Sequence, residues 1–185
     1  MNAGRVYWRS LAALIVVVPL ALWTASGEDY LAYQRHRAVP ETVVAPGASA
    51  EFGGSRWQID RIETFDAPPA TPGSVIAPAS LPAGTRLLRV RMALRAGDIE
   101  SIQKLDRCQL ELVDRRGRRW TAAALSPARR DVATRCNGSH GKTPQIAQEF
   151  RFEQDFLLPA DAAGDVDAVI RLAAENPRLL RLQWR

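Results

Sequence analysis

An all-β sandwich is the fold this sequence predicts, and three observations predict it. Leu88, Val90, Met92 and Leu94 alternate with Arg89, Arg91, Ala93 and Arg95. Phe150, Phe152 and Phe156 alternate with Arg151, Glu153 and Asp155, with Gln154 as the one polar interruption. Such period-2 runs mark strands with one apolar face and one wet face. Third, Cys108, Leu110 and Leu112 share a face against Gln109 and Glu111, and this run passes through Asp114-Arg-Arg-Gly-Arg-Arg119 into Trp120-Thr121. A glycine-containing polar turn between two strand runs is a hairpin signal. Shorter runs at 48–52, 57–65, 166–172 and 179–184 bring the total to about 7–8 strands. No internal stretch keeps an apolar 3.6-residue period over three turns.

The strands follow an apolar segment of a different kind. Residues 10–27 are eighteen positions without a charge, preceded by Arg5 and Arg9 and followed by Glu28-Asp29. At about 1.5 Å per residue such a helix approaches the roughly 30 Å hydrocarbon core of a bilayer. As a signal peptide the segment has small residues at Ala25 and Gly27 for cleavage before Glu28. As an uncleaved anchor it exceeds the usual h-region of about 7–15 residues. Tyr7, Trp8 and Trp23 also stand where interfacial aromatics stand, and Pro19 is tolerated in a spanning helix. The length favours the anchor. Arg5, Arg9 and the amino terminus favour a cytoplasmic N-terminus, a bias that Arg35, His36 and Arg37 weaken. The expected organisation is a short cytoplasmic N-terminus (1–9), a single-pass transmembrane anchor (10–27), a juxtamembrane linker (28–47) and an extracytoplasmic sandwich (48–185). Pro40 and Pro46-Gly47 interrupt the linker, and the proline-rich stretch from Ala67 through Pro82 reads as an insertion between two strands.

Composition bounds the partners. Of 185 residues, 46% are hydrophobic and 24% charged, which suits a globular domain and excludes a disordered chain. The net charge is +5, and Lys104 and Lys142 are the only lysines. Codon usage in a GC-rich genome produces such an arginine bias; attraction to anionic lipid, envelope polymer or an acidic protein is the functional reading. A domain outside the membrane is not expected to meet nucleic acid.

Few residues invite chemistry. Cys108 and Cys136, an even pair in an exported chain, read as a disulfide. Cys136 and His140 stand four apart, but structural zinc needs four ligands and the sequence offers only His36 as another imidazole. A nucleophilic Cys136 would need a free thiol, which an oxidising compartment disfavours. Ser139 beside His140 lacks a Gly-x-Ser-x-Gly elbow, and His140 in its Gly-Ser-His-Gly loop reads as a solvated residue. Neither a metal nor a cofactor is expected. Arg115, Arg116, Arg118 and Arg119 form the densest basic cluster, solubilising by default and otherwise the candidate contact for an anionic partner.

The order of motifs is similar to a known group. A strand with Trp57-Gln58-Ile59 precedes Leu88-Arg-Val-Arg-Met-Ala-Leu94, then Leu110-Glu-Leu-Val-Asp-Arg-Arg-Gly-Arg-Arg-Trp120. Phe150-Arg-Phe152 then leads to Leu158-Pro159, and a last strand ends in Leu182-Gln-Trp184. This resembles the immunoglobulin-like domains of small exported or membrane-anchored bacterial proteins, related in architecture to the mycobacterial immunoprotective extracellular antigens. The resemblance covers roughly residues 48–184, and this chain departs from it in the proline-rich insertion and the 126–144 loop. It implies an immunoglobulin-like antiparallel sandwich and carries no catalytic residues across. The expected function is a non-enzymatic, membrane-anchored binding or interaction module. A structural accessory subunit of an envelope complex and a cleaved secreted protein are the alternatives.

Overall fold

In the computed structural model, which describes residues 14–19, 40–68, 80–123 and 132–185, nine strands form two sheets. The expected cytoplasmic N-terminus, most of the anchor, the linker up to residue 39, most of the proline-rich insertion and residues 124–131 lie outside the described residues. Residues 14–19 are helical with exposed side chains. Among the described residues no helix is long and apolar enough to cross a membrane.

The sandwich occupies Pro40–Arg185. Its strands are β1 (Glu41–Val44), β2 (Ala50–Phe52), β3 (Ser55–Phe65), β4 (Thr85–Ala96), β5 (Cys108–Asp114), β6 (Arg119–Thr121), β7 (Glu149–Pro159), β8 (Val166–Leu172) and β9 (Leu179–Leu182). One sheet runs β1-β9-β8-β5-β6 and the other β2-β3-β4-β7. β4 pairs with β7 in one sheet while β5, β8 and β9 are neighbours in the other, the Greek-key arrangement of immunoglobulin-like sandwiches. Eight of these strands match the sequence reading. The ninth, β1, falls in the stretch expected to be linker. It lies parallel to β9, with Glu41 opposite Leu179 and Val44 opposite Leu182. Four residues between Pro40 and Pro46-Gly47 carry no alternation to read, and their partner is the C-terminal strand.

A six-residue helix, α1 (Ile99–Lys104), was also not expected. Asp98 caps it: its carboxylate accepts from Ser101 N at 2.8 Å, and Ser101 Oγ accepts from Asp98 N at 3.0 Å. The Ser101 N–H foremost, and the Ser101 side chain after it, hold the Asp98 carboxyl below its ordinary range. A helix this short has no apolar period to detect, so the capping pair was its only signal.

The core lies between the sheets. Trp57, Phe152, Leu88, Val90, Met92, Leu94, Leu112 and Ile170 are buried, and Trp57 meets Phe152 edge-to-face at 6.5 Å. Burying each large apolar side chain contributes roughly 1.5–3 kcal/mol. Trp57 Nε1 donates to Phe52 O at 3.0 Å, so burial strands no donor. Phe52 precedes the Gly53-Gly54 turn into β3, where a Cβ on Gly53 would stand 2.3 Å from Leu172 Cδ1 at a φ of +63°. Gln154, the polar interruption, faces this core opposite Val90, and its Nε2 donates to Thr134 O at 3.0 Å.

The face expected to be wet is corrected in part. Arg89, Glu153 and Asp155 point away from the core, as the alternation requires, yet all three are buried. Leu87, on the same outer face as Arg89, is 1% exposed. Of the expected wet-face arginines Arg95 is exposed, Arg91 is intermediate and Arg89 is closed off from water. Alternation identifies the side of the sheet, and what packs over that side decides whether it is wet.

Candidate interaction surfaces

At one end of the sandwich the β5–β6 hairpin presents the basic cluster. Gly117 takes a φ of +79°, a left-handed conformation that glycine adopts without steric cost. Asp114 organises the turn: Oδ1 accepts from Arg116 N at 3.0 Å and Arg118 N at 2.8 Å, and Oδ2 from Arg118 Nε at 2.7 Å. Burial alone would raise the Asp114 pKa; the Arg118 guanidinium and these two N–H donors outweigh it and hold the carboxyl below its ordinary value.

All four cluster arginines meet carboxylates. Arg115 pairs with Asp165 at 2.8 Å, Arg116 with Asp161 at 3.7 Å, and Arg118 with Asp161 at 3.1 Å as well as Asp114. Arg119 reaches Glu41 and Glu111, each at 3.2 Å. Asp161 and Asp165 belong to the β7–β8 turn, more than forty residues along the chain, so sequence spacing gave no sign of them.

Both outer faces carry related ladders. On the five-stranded sheet Arg171 meets Glu111, and Arg181 meets Asp167 and Glu41, over a fully buried Val169. On the four-stranded sheet Arg89 grips Asp155 two-pronged, Nε to Oδ1 at 2.8 Å and Nη2 to Oδ2 at 2.9 Å. Arg91 Nε bonds Glu153 Oε1 at 2.6 Å, and Arg89 lies over the Phe65 ring at 5.4 Å.

The opposite end of the sandwich holds the disulfide. Cys108 and Cys136 are bonded with Cα atoms 6.2 Å apart, within the ordinary range. The bridge ties β5 to the loop before β7, and Asn137 Nδ2 adds a hydrogen bond to Asp106 O at 3.2 Å. Ser139 Oγ accepts from Thr134 N at 2.7 Å, and Ser139 exchanges backbone hydrogen bonds with Lys142, so this serine shapes the loop. His140 is exposed at a φ of +53°. With Cys136 in a disulfide, neither a thiolate ligand nor a thiol nucleophile is present at this loop.

Among the described residues, open grooves lie on and beside the four-stranded sheet. One of about 330 Å³ is lined by Lys142, Gln145, Gln148, Glu149 and Arg151 among others. A second, of about 220 Å³, shares Lys142 and Arg151 and adds Arg91 and Ala133. The third, about 310 Å³, contains Arg56, Arg95, Gly54 and Gly97. Arg95 makes no ion pair among the described residues. Its strand neighbours are Arg56 on β3 and Glu149 on β7; Arg56 pairs with Glu51 and Glu149 with Arg151.

No family model and no curated protein sequence matches the chain. Solved structures do. An uncharacterized β-sandwich protein from Clostridium difficile is 8% identical, with 80% of this chain and 97% of that one covered at a TM-score of 0.43. A secreted protein from Mycobacterium tuberculosis, MPT63, is 10% identical over 78% of this chain and 99% of its own, at 0.45. The yjhA protein from Bacillus subtilis is 9% identical, covering 75% and 99%, at 0.49.

Proposed function

We propose that this chain is a non-enzymatic, membrane-tethered binding module whose sandwich works outside the cytoplasm. The observation that carries the reading is the Cys108–Cys136 disulfide, which belongs to an oxidising compartment, in a domain that follows the uncharged run of residues 10–27. The apolar run supplies the single-pass tether and the two basic residues before it the N-in orientation. The sandwich presents its charged tip and outer faces to a partner, and its binding is electrostatic: arginines alternating with carboxylates line the β5–β6 tip and both outer faces.

Two measurements on the native protein test this. N-terminal sequencing of the membrane-fraction protein should find residues upstream of residue 10. Alkylation without reductant, read by intact mass, should leave both cysteines unmodified. A soluble form beginning near Glu28, or two alkylated thiols, overturns the reading.

A further inference from the structure

The two ends of the sandwich differ in where the chain enters. It enters at Pro40, whose carbonyl accepts from Leu179 N at 3.1 Å, so β1 begins beside the start of β9. Leu180 pairs with Ile170 and Cys108 with Leu172, which puts this point of entry at the disulfide end. The β2–β3 turn lies there too: a Cβ on Gly53 would meet Leu172, and one on Gly54 would meet Ser101 of α1. The basic tip, where Asp114 pairs with Val166, lies at the other end. Among the described residues of the sandwich the exposed large hydrophobics are Val43, Ile99 and Ile146, and two of the three share the entry end. Ile99 opens α1 three residues after Ala96 and is 60% exposed. Ile146, 49% exposed, is bridged to Ala96, with Ala147 N donating to Ala96 O at 2.9 Å.

We infer that this end, through Ile99 and Ile146, docks on the lipid surface of the membrane that holds residues 10–27; the inference rests on the tethered-module reading and deepens it. Only residues 28–39 separate that apolar run from Pro40, and a stretch of that length spans at most about 40 Å. The tether therefore delivers the entry end to the bilayer at high effective concentration, so a weak contact suffices. Two aliphatic side chains make such a contact: each exposes apolar area to water and removes it at the boundary between headgroups and acyl chains. Arg107 and Arg135 stand at the same end, one before each cysteine of the bridge, both exposed and without an ion pair among the described residues. Their stems can lie along lipid while the guanidinium meets phosphate. Asp106 shares that turn, so charge does not select the bilayer; the apolar pair and the point of chain entry do. A protein partner is served less well. Specific protein interfaces bury about 800 Å² a side, and this end offers two aliphatics set apart by the polar Gly97-Asp98 turn.

Because Cys108 and Cys136 are bonded to each other, a single introduced cysteine takes a label. Ile99→Cys, Ile146→Cys and, at the tip, Arg116→Cys each carry a nitrobenzoxadiazole fluorophore in the full-length protein. The protein is purified from the membrane fraction and reconstituted in phosphatidylcholine–phosphatidylglycerol vesicles with and without nitroxide-labelled lipid. The nitroxide should quench the labels at 99 and 146 and spare the tip label. Ile99→Ser added to Ile146→Cys should weaken the contact about tenfold, read as the ratio of quenched to unquenched label. Val43→Ser in the same background should leave that ratio unchanged. Circular dichroism on each variant confirms the fold. End labels that stay in water, a tip label quenched as strongly as they are, or end labels shielded from the nitroxide until the protein is diluted in lipid, the mark of a second copy, each overturn the inference. Alkaline carbonate washing and N-terminal sequencing are carried out on the same vesicles. If the protein is retained with residues upstream of residue 10 and its end labels stay in water, the docking falls and the tethered-module reading stands. If it washes off or begins near Glu28, the tethered-module reading itself falls, and the docking with it.

Discussion

Arg118 at the hairpin tip and Arg89 in the middle of β4 carry the same chemistry, a guanidinium held on an aspartate and lying 5.4 Å from an aromatic ring. Their surroundings differ. The Arg118 side chain is 38% exposed and can exchange its partners with water, whereas Arg89 is 8% exposed and both of its carboxylate partners are buried. Exposed ion pairs are worth about 0–1 kcal/mol, since the charges are screened and solvated with or without each other. A buried pair is different in kind: its formation is roughly balanced by desolvation, but removal of one partner strands the other. The arginine bias therefore has two consequences in one domain, a replaceable set at the tip and an interlocked set between β4 and β7.

The comparison breaks most visibly at Arg89. Arg89→Leu removes the guanidinium that grips Asp155 two-pronged, while Arg91 stays on Glu153, and should destabilise the sandwich by about 3 kcal/mol in urea unfolding. The double change Arg89→Leu with Asp155→Leu removes both charges and should recover most of that loss. Equal destabilisation in single and double variants would mean that packing at Arg89, not the lost ion pair with Asp155, sets the cost.

Asp114 sharpens the comparison by titration. Its folded pKa is lowered, so its contribution is fully present above the unfolded carboxyl value of about 3.9 and is lost as pH falls through the folded value. The stability gap between the native chain and Asp114→Asn should therefore be widest above about pH 4 and close below it. Arg118→Ser removes the chief opponent of burial and should move the loss to higher pH. An unchanged acid limb in Arg118→Ser would show that the Arg116 and Arg118 N–H donors alone hold the carboxylate.

Much of this fold was legible and much of its charge pattern was not, for physical reasons that particular residues show. Leu88 to Leu94 and Phe150 to Phe156 were read correctly as strands because period-2 alternation is a local property of the chain; that they pair with each other is a tertiary fact the alternation does not carry. The Cys108–Cys136 bridge followed from count and compartment. The burial of Arg89 did not follow, because alternation gives its side of the sheet and says nothing of what lies over that side. The neutralising of the tip escaped for a related reason: Asp161 and Asp165 reach the hairpin only through the β7–β8 turn, a tertiary juxtaposition. Strand β1 was hidden because a four-residue edge strand takes its stability from the partner it borders. That Arg95 makes no ion pair among the described residues is likewise invisible in sequence, since it is defined by the carboxylates that miss it.

The smallest effect is expected where the sequence drew most attention. Arg115 and Arg116 are 79% and 77% exposed, and their partners Asp165 and Asp161 are about half exposed, so neither pair excludes water. Arg118 stays in Arg115→Ser with Arg116→Ser and continues to satisfy Asp114 and Asp161. Asp165 is left solvated, and the turn backbone is held by Asp114 N to Arg118 O and Gly117 N to Asp114 O, contacts that need neither side chain. The melting temperature should therefore fall by less than about 4 °C. Differential scanning calorimetry at low and high salt checks it: the small difference should shrink further as salt rises, because the Debye length drops to about 3 Å at 1 M. A larger, salt-independent loss would show that the aliphatic stems of these arginines pack on the turn, and the tip would then belong with the interlocked set.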